Sequence, residues 1–204
     1  MRQYGSHLDC RAAADPAEAT AQAWRRIGEG WLDGADTLAL KLDRITNNTS
    51  LVSALELGPK ARTDNPVILF AADAQVGNWQ SWQQIAWPDY AGRAVTGPDL
   101  LRRTIIYKVG HHASHNATPM QGGLEAIAKL RLALVPTNAE TSCKVGWDTL
   151  PWGSLLRRLH EVTGDRVLRS DTGASAGAAA AEAGIEVEAT TSHFDIHVRP
   201  PGAT

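Results

Sequence analysis

Thr104-Ile105-Ile106-Tyr107-Lys108-Val109-Gly110-His111-His112-Ala113-Ser114-His115-Asn116 is the stretch on which the fold reading turns. Its opening residues form an apolar run, which predicts a buried strand. The strand leads through Gly110 into a polar loop. Three of the chain's seven histidines fall within five residues of that loop. Rigid strand ends are where scaffolds display metal-binding and catalytic side chains, so the loop is the candidate active site.

Working outward, Pro66-Val67-Ile68-Leu69-Phe70-Ala71-Ala72-Asp73 is apolar on both parities. That pattern predicts a strand covered on both faces, here ending on a carboxylate. The preceding Leu51–Leu57 segment predicts a strand antiparallel to it, joined through a Gly/Pro/Asn loop. Further strands are expected over Arg131–Pro136 and Val167–Ser170, with half-exposed terminal strand structure over Ile185–Ala189 and Phe194–Val198. Helices are expected from Asp15-Pro16 onward, over Gln75–Trp87, as a short turn over Pro98–Arg103, over Met120–Leu130 and over Trp152–Thr163. Thr137–Pro151 reads as loop, and 174–184, rich in Ala, Gly and Ser, as a low-complexity linker or hairpin tip. The tryptophans at 24, 31, 79 and 82 fall at helical spacing and read as core stripes. The alternation of helix and strand gives an α/β class with a mixed sheet, as a single domain over 1–204.

Composition narrows the function. Apolar residues make up 43% and charged residues 21%, as in globular proteins. The net charge of −2 carries no basic excess of the kind that coats nucleic acid or anionic membrane. No apolar run reaches the ~18 residues of a membrane span, and Met1–Asp15 is too polar for a secretion signal. The expected setting is cytoplasmic, with no membrane contact. Cys10 and Cys143 lack a paired-cysteine zinc spacing and read as two reduced thiols.

If the strands ending in Asp73 and in His111/His112 are neighbours, a carboxylate and imidazoles meet at one sheet edge. Such donors suit Zn²⁺, Mn²⁺ or Fe²⁺. A metal held there would bring bound water to a pKa near 7. His160 reads as a surface residue, and His193 and His197, which share a strand face at i, i+4, as cross-strand packing.

The segments Asn48-Thr49-Ser50-Leu51-Val52, Ile68–Asp73 and Tyr107–His115 together resemble the C-terminal half of metallo-β-lactamase-fold hydrolases. The branch they look most like contains the hydrolase-like domain of bacterial DNA-uptake channel proteins, with its N-x-S-L-V, strand-G-D and K-V-x-H-H-G-S patterns. Val167–Gly173 is similar to that branch's closing strand and turn, so the resemblance covers roughly 44–173. It implies half of an αββα sandwich and a two-metal, zinc-type site. In that pattern Asp73 bridges both metals and His112 binds the second, with His111 or Lys108 close by. His115 and Asn116 are then substrate contacts, and His115 a proton donor. Ala72 and Ala113 stand where the pattern has glycine. The family's N-terminal H-x-H-x-D-H motif is absent, and His7 is the one upstream histidine. The expectation is therefore a partial domain whose missing half lies elsewhere or on a partner chain. Three functions follow: a hydrolase of phosphodiesters, nucleic acid among them, or of other esters; a half-enzyme completed in trans; or a non-catalytic interaction module.

Overall fold

The computed structural model describes residue 47 and residues 49–59, 62–90, 93–172 and 184–199. The expected N-terminal helix, Trp24, Trp31, His7 and the tract at 173–183 lie outside these residues.

Five strands form the central sheet: β1 (Ser53–Glu56), β2 (Val67–Phe70), β5 (Thr104–Lys108), β6 (Leu132–Val135) and β7 (Val167–Arg169), in the order β1-β2-β5-β6-β7. β1 runs antiparallel to β2, and the other three pairings are parallel. The chain is thus α/β with a mixed sheet, as the alternating apolar runs predicted.

Each face of the sheet has its own core. On one, Leu69, Tyr107, Ala133, Val135 and Val167 pack with Trp79 of α1 (Val76–Trp82), Leu101 of α2 (Gly97–Arg103), and Leu155 and Leu159 of α4 (Gly153–Thr163). On the other, Ile68, Ile106, Leu132 and Leu168 pack with Ile185 and Val187 of β8 (Ile185–Ala189) and Phe194, Ile196 and Val198 of β9 (Phe194–Val198). β8 and β9 form an antiparallel hairpin. Its period-two alternation sends the apolar residues to the sheet and leaves Glu188, Asp195 and His197 exposed. Both faces are therefore covered, which is why β2, β5 and β6 read as continuous apolar runs.

Four local expectations are corrected. Gln75–Trp87 is not one helix. α1 stops at Trp82, and Ala86–Tyr90 is a strand, β3, paired antiparallel with β4 (Arg93–Thr96). Pro88 lacks the amide a helix needs at that position and favours extended backbone before it. Met120–Leu130 is turns around one 3-10 turn at Leu124–Ala126. Gly122 sits at φ +68°, and Gly123 lies so close to Pro119 that a Cβ there would be 2.1 Å from its carbonyl oxygen. Thr137–Pro151 is not all loop. It holds α3 (Ala139–Lys144), whose first turn is capped by the Asn138 side chain, which accepts from Thr141 N–H at 2.8 Å. Cys143 in α3 is bonded in a disulfide, so it is not the reduced thiol expected.

Tyr107 ties β5 to the loop beyond it. The side chain is fully buried, its hydroxyl lies 2.7 Å from Thr118 Oγ1, and it accepts from Gly110 N–H at 3.3 Å. Trp79 packs edge-on against its ring, 5.8 Å between centroids. Burial pushes the Tyr107 phenol up to about 12. A pKa raised on folding gives stability that is complete below the unfolded value near 10 and is lost as pH climbs towards 12. In alkaline unfolding followed by phenolate absorbance, Tyr107→Phe is therefore expected to flatten the loss of stability across that window; an unchanged profile would refute the assignment.

Candidate active site

The parallel strands β2, β5, β6 and β7 all end at the same sheet edge, the side where open α/β sheets bind ligands. The chain leaves them through Ala72-Asp73, Gly110–Asn116, Pro136–Asn138 and Ser170-Asp171. Because β2 and β5 are adjacent, Asp73 and the histidine loop meet there, as the strand-end pattern anticipated.

His112 and Asp73 face each other, with Nε2 3.9 Å from Oδ1 and both side chains about half exposed. His112 Nδ1 lies 2.9 Å from the Pro136 carbonyl oxygen. A carbonyl only accepts, so Nδ1 carries a proton, and Nε2 is the nitrogen turned towards Asp73. Asp73 is held in turn through its backbone N–H, which donates to Ser50 Oγ at 3.3 Å.

His111 sits differently. Its Nε2 lies 3.2 Å from Asn47 Nδ2, and its Nδ1 3.1 Å from Asn116 Oδ1 and 3.0 Å from Ser114 Oγ. Asn47 donates to Nε2, so the Nδ1 proton goes to the Asn116–Ser114 side. Both ring nitrogens are thus occupied within the protein, and coordination by His111 would require giving up one of these bonds. His115 is exposed, with its ring 6.1 Å from that of Trp152. Asn116 serves His111 through its side chain, and its carbonyl accepts from Val76 N–H at 3.2 Å.

The loop is strained. His111, His112 and Ala113 have φ of +45°, +50° and +60°, and Ala72 before Asp73 has +46°. Side-chain-bearing residues enter this region singly, at about 1–2 kcal/mol each. Three in succession persist because the surroundings fix them. His111 N–H donates to Ala72 carbonyl at 2.8 Å, Ala113 N–H to Gly110 carbonyl at 2.9 Å, and Trp152 N–H to Ala113 carbonyl at 2.8 Å. Gly110 allows the two strand ends to approach, since a Cβ there would lie 3.0 Å from the Ala72 carbonyl oxygen. Ala72→Gly is expected to raise stability by about 0.5–1 kcal/mol, read as a higher urea midpoint at constant slope. Ala113→Gly should give little gain, because its buried methyl group contributes about 0.8 kcal/mol to the core.

Residues from β6 and β7 complete the edge, and their roles were not legible in the sequence. His112, Pro136, Thr137, Asn138, Thr141, Ser142, Trp147 and Ser170 line a cleft of about 370 Å³. Asp171 braces it by accepting from Ala139 N–H at 2.9 Å and from Arg169 through two bonds of 2.8 and 2.9 Å. Burial opposes the Asp171 charge, but the Arg169 and Ala139 hydrogen bonds outweigh it and hold the carboxyl below its ordinary range. Pro136 and Ser170 are unremarkable in sequence. Only strand order brings them beside His112.

Among the described residues, no three His, Cys, Asp or Glu side chains converge as a metal-binding group. The pair His112–Asp73 does fit as two ligands. Its 3.9 Å separation is too long for a hydrogen bond, yet within reach of one ion with ligand bonds of about 2.0–2.2 Å. The bond from His112 to a backbone carbonyl is the outer support that metal-binding histidines have. His197 stands opposite Glu186 across the β8–β9 hairpin and His193 meets Thr190 across its turn, 3.4 Å from Asp195; both histidines are exposed. His160, on α4, meets Asp165 at 3.0 Å.

Compared with protein-family models, with curated proteins and with solved structures, the chain matches none. No helix among the described residues is long and apolar enough to cross a membrane.

Proposed function

We propose that the chain carries part of the centre of a metal-dependent hydrolase of the metallo-β-lactamase type, acting on an ester or phosphodiester. The observation that carries this reading is the orientation of His112. Its Nδ1–H is committed to Pro136 O, and its free Nε2 is directed at the Asp73 carboxylate. A second observation supports it: Ala72 and Ala113, which stand where the resembled pattern has glycine, both adopt positive φ. The local backbone is thus the kind that pattern would require.

In this reading Asp73 and His112 hold a zinc-type ion, which when bound supplies an acidified water and charge stabilisation. Pro136 fixes the His112 tautomer, and Ser50 anchors the backbone of Asp73. His111 shapes the loop rather than binding the ion. His115, exposed beside Trp152, is available to touch substrate or donate a proton to a leaving group. Further metal ligands come from outside the described residues, because these contain no three-ligand group. That same observation favours, as second reading, a half-site completed by a partner chain; a purely structural interaction module needs no such completion.

The test is zinc content of the purified protein, with hydrolysis of an aryl acetate and an aryl phosphodiester measured before and after zinc addition. Zinc uptake and turnover that both fall in Asp73→Ala support the hydrolase. Zinc uptake that appears only with a partner bearing an H-x-H-x-D-H motif supports the half-site. Negligible zinc under all conditions, indifferent to Asp73→Ala, would sink both and leave the interaction module.

A further inference from the structure

The family resemblance makes Asn116 a substrate contact, yet its side-chain oxygen is spent inside the protein. Oδ1 accepts from Ser114 Oγ at 2.7 Å and lies 3.1 Å from His111 Nδ1. Asn47 Nδ2 donates to His111 Nε2 at 3.2 Å, so the imidazole proton sits on Nδ1. Ser114 Oγ is 3.0 Å from the same Nδ1 but brings a proton of its own. Within this group of side chains, Asn116 Oδ1 is the atom that accepts and never donates. Its two lone pairs take the imidazole proton and the hydroxyl proton together. Without it, those two donors are left with one hydroxyl oxygen between them.

Asn116 is also rigidly mounted. Its carbonyl accepts at 3.2 Å from the N–H of Val76, the first residue of α1, just beyond Asp73. The carbonyl of Ala117 accepts from the buried Trp79 indole at 2.9 Å, and Thr118 Oγ1 meets the Tyr107 hydroxyl at 2.7 Å. One residue thus joins the turn that carries His112 to the segment that carries Asp73. The turn depends on such support, because His111, His112 and Ala113 all hold positive φ.

We infer that Asn116 is the positioning residue of the His112–Asp73 pair: it fixes the His111 ring in its Nδ1–H form on a base anchored to α1, and so holds the left-handed turn that aims His112 Nε2 at Asp73. Use of the pair for a metal rests on the hydrolase reading; the arrangement itself does not.

The test is the nitrogen-15 histidine spectrum of the zinc-free full chain at about pH 8.5, where an ordinary imidazole is neutral. Zinc affinity is measured alongside with a chelating dye. His111→Gln and His112→Ala identify the two ring signals by their loss. In the parent both rings are expected in the Nδ1–H form, His111 on Asn116 and His112 on Pro136 O. Asn116→Ala should mix the two tautomers at both rings and weaken zinc binding by about 10-fold, as loss of a residue that supports a ligand does. If that variant does not fold, the near-isosteric Asn116→Leu is read in its place. Asn116→Asp keeps an acceptor oxygen and should restore the parent tautomers. Ser114→Ala leaves the His111–Asn116 bond and should keep them too. A merely structural Asn116 would lower the thermal midpoint with both ring signals unchanged. That result overturns the inference, as does an Nε2–H form of either ring in the parent, or an Asn116→Asp spectrum like that of Asn116→Ala. A parent that shows the expected tautomers and takes up no zinc sinks the metal reading alone.

Discussion

His112→Ala is expected, on the metal-site reading proposed above, to lower zinc affinity by more than about 100-fold, beyond the roughly 10–100-fold that follows loss of a residue that only supports a ligand. The reason is geometric. His112 has one nitrogen bonded to Pro136 O and the other facing Asp73, so the substitution removes a donor atom. His111→Gln should act otherwise. His111 spends both nitrogens on Asn47, Asn116 and Ser114, so its loss loosens the strained loop, lowers the thermal midpoint and reduces zinc affinity to a lesser degree. Competition against a chelating dye, paired with thermal unfolding of each variant, separates the two roles. Equal affinity losses in the two variants would show that position in the loop, rather than ligation by His112, governs the metal.

Arg103→Ala is expected to destabilise the fold by about 3–5 kcal/mol, the cost of breaking a buried ion pair from one side. Arg103 is 1% exposed and joins three segments. Its Nη2 bonds Glu56 Oε1 at 2.6 Å and Asp99 Oδ2 at 2.8 Å, and its Nη1 bonds the Asn65 carbonyl oxygen at 2.6 Å. Burial disfavours the guanidinium charge, yet the Asp99 and Glu56 hydrogen bonds raise its pKa regardless. Removing it takes the buried guanidinium away from Glu56, Asp99 and the Asn65 carbonyl oxygen, although Asp99 keeps Arg102 at 2.7 Å. Arg103→Lys keeps the charge but not the planar fork, and should recover only part of the loss. Urea unfolding at neutral pH measures both. A loss in Arg103→Ala below about 1 kcal/mol would place the cluster with exposed pairs, which contribute little.

The two differ in how far sequence reveals them. An apolar strand followed by Gly110-His111-His112 is a local signal, and it located the loop. The glutamate, aspartate and arginine of the Arg103 cluster stand at positions 56, 99 and 103, and no periodicity links the first to the others. Trp147 is similarly silent, since an exposed tryptophan in a polar loop has no pattern to mark it. The β3–β4 hairpin was hidden because Gln75–Trp87 has the composition of a helix, and its pairing partner lies beyond Pro88. The 3-10 turn at Leu124–Ala126 replaced an expected helix because Gly122 and Gly123 outweigh the apolar spacing around them.

The sequence by itself determined the class and where the covered central strands end. Runs that are apolar on both parities must be covered on both faces, and their polar termini must reach solvent at the sheet's rim. That much is hydrophobic burial acting locally along the chain. What tertiary structure alone decided is which strand ends are neighbours and which way each imidazole points. The order β1-β2-β5-β6-β7 puts Asp73 beside His112 and brings Pro136 up to Nδ1. The choice between His111 and His112 then rests on hydrogen bonds to residues 64 and 24 positions away in the chain. Such bonds are set by packing of distant segments, and no spacing within the loop encodes them.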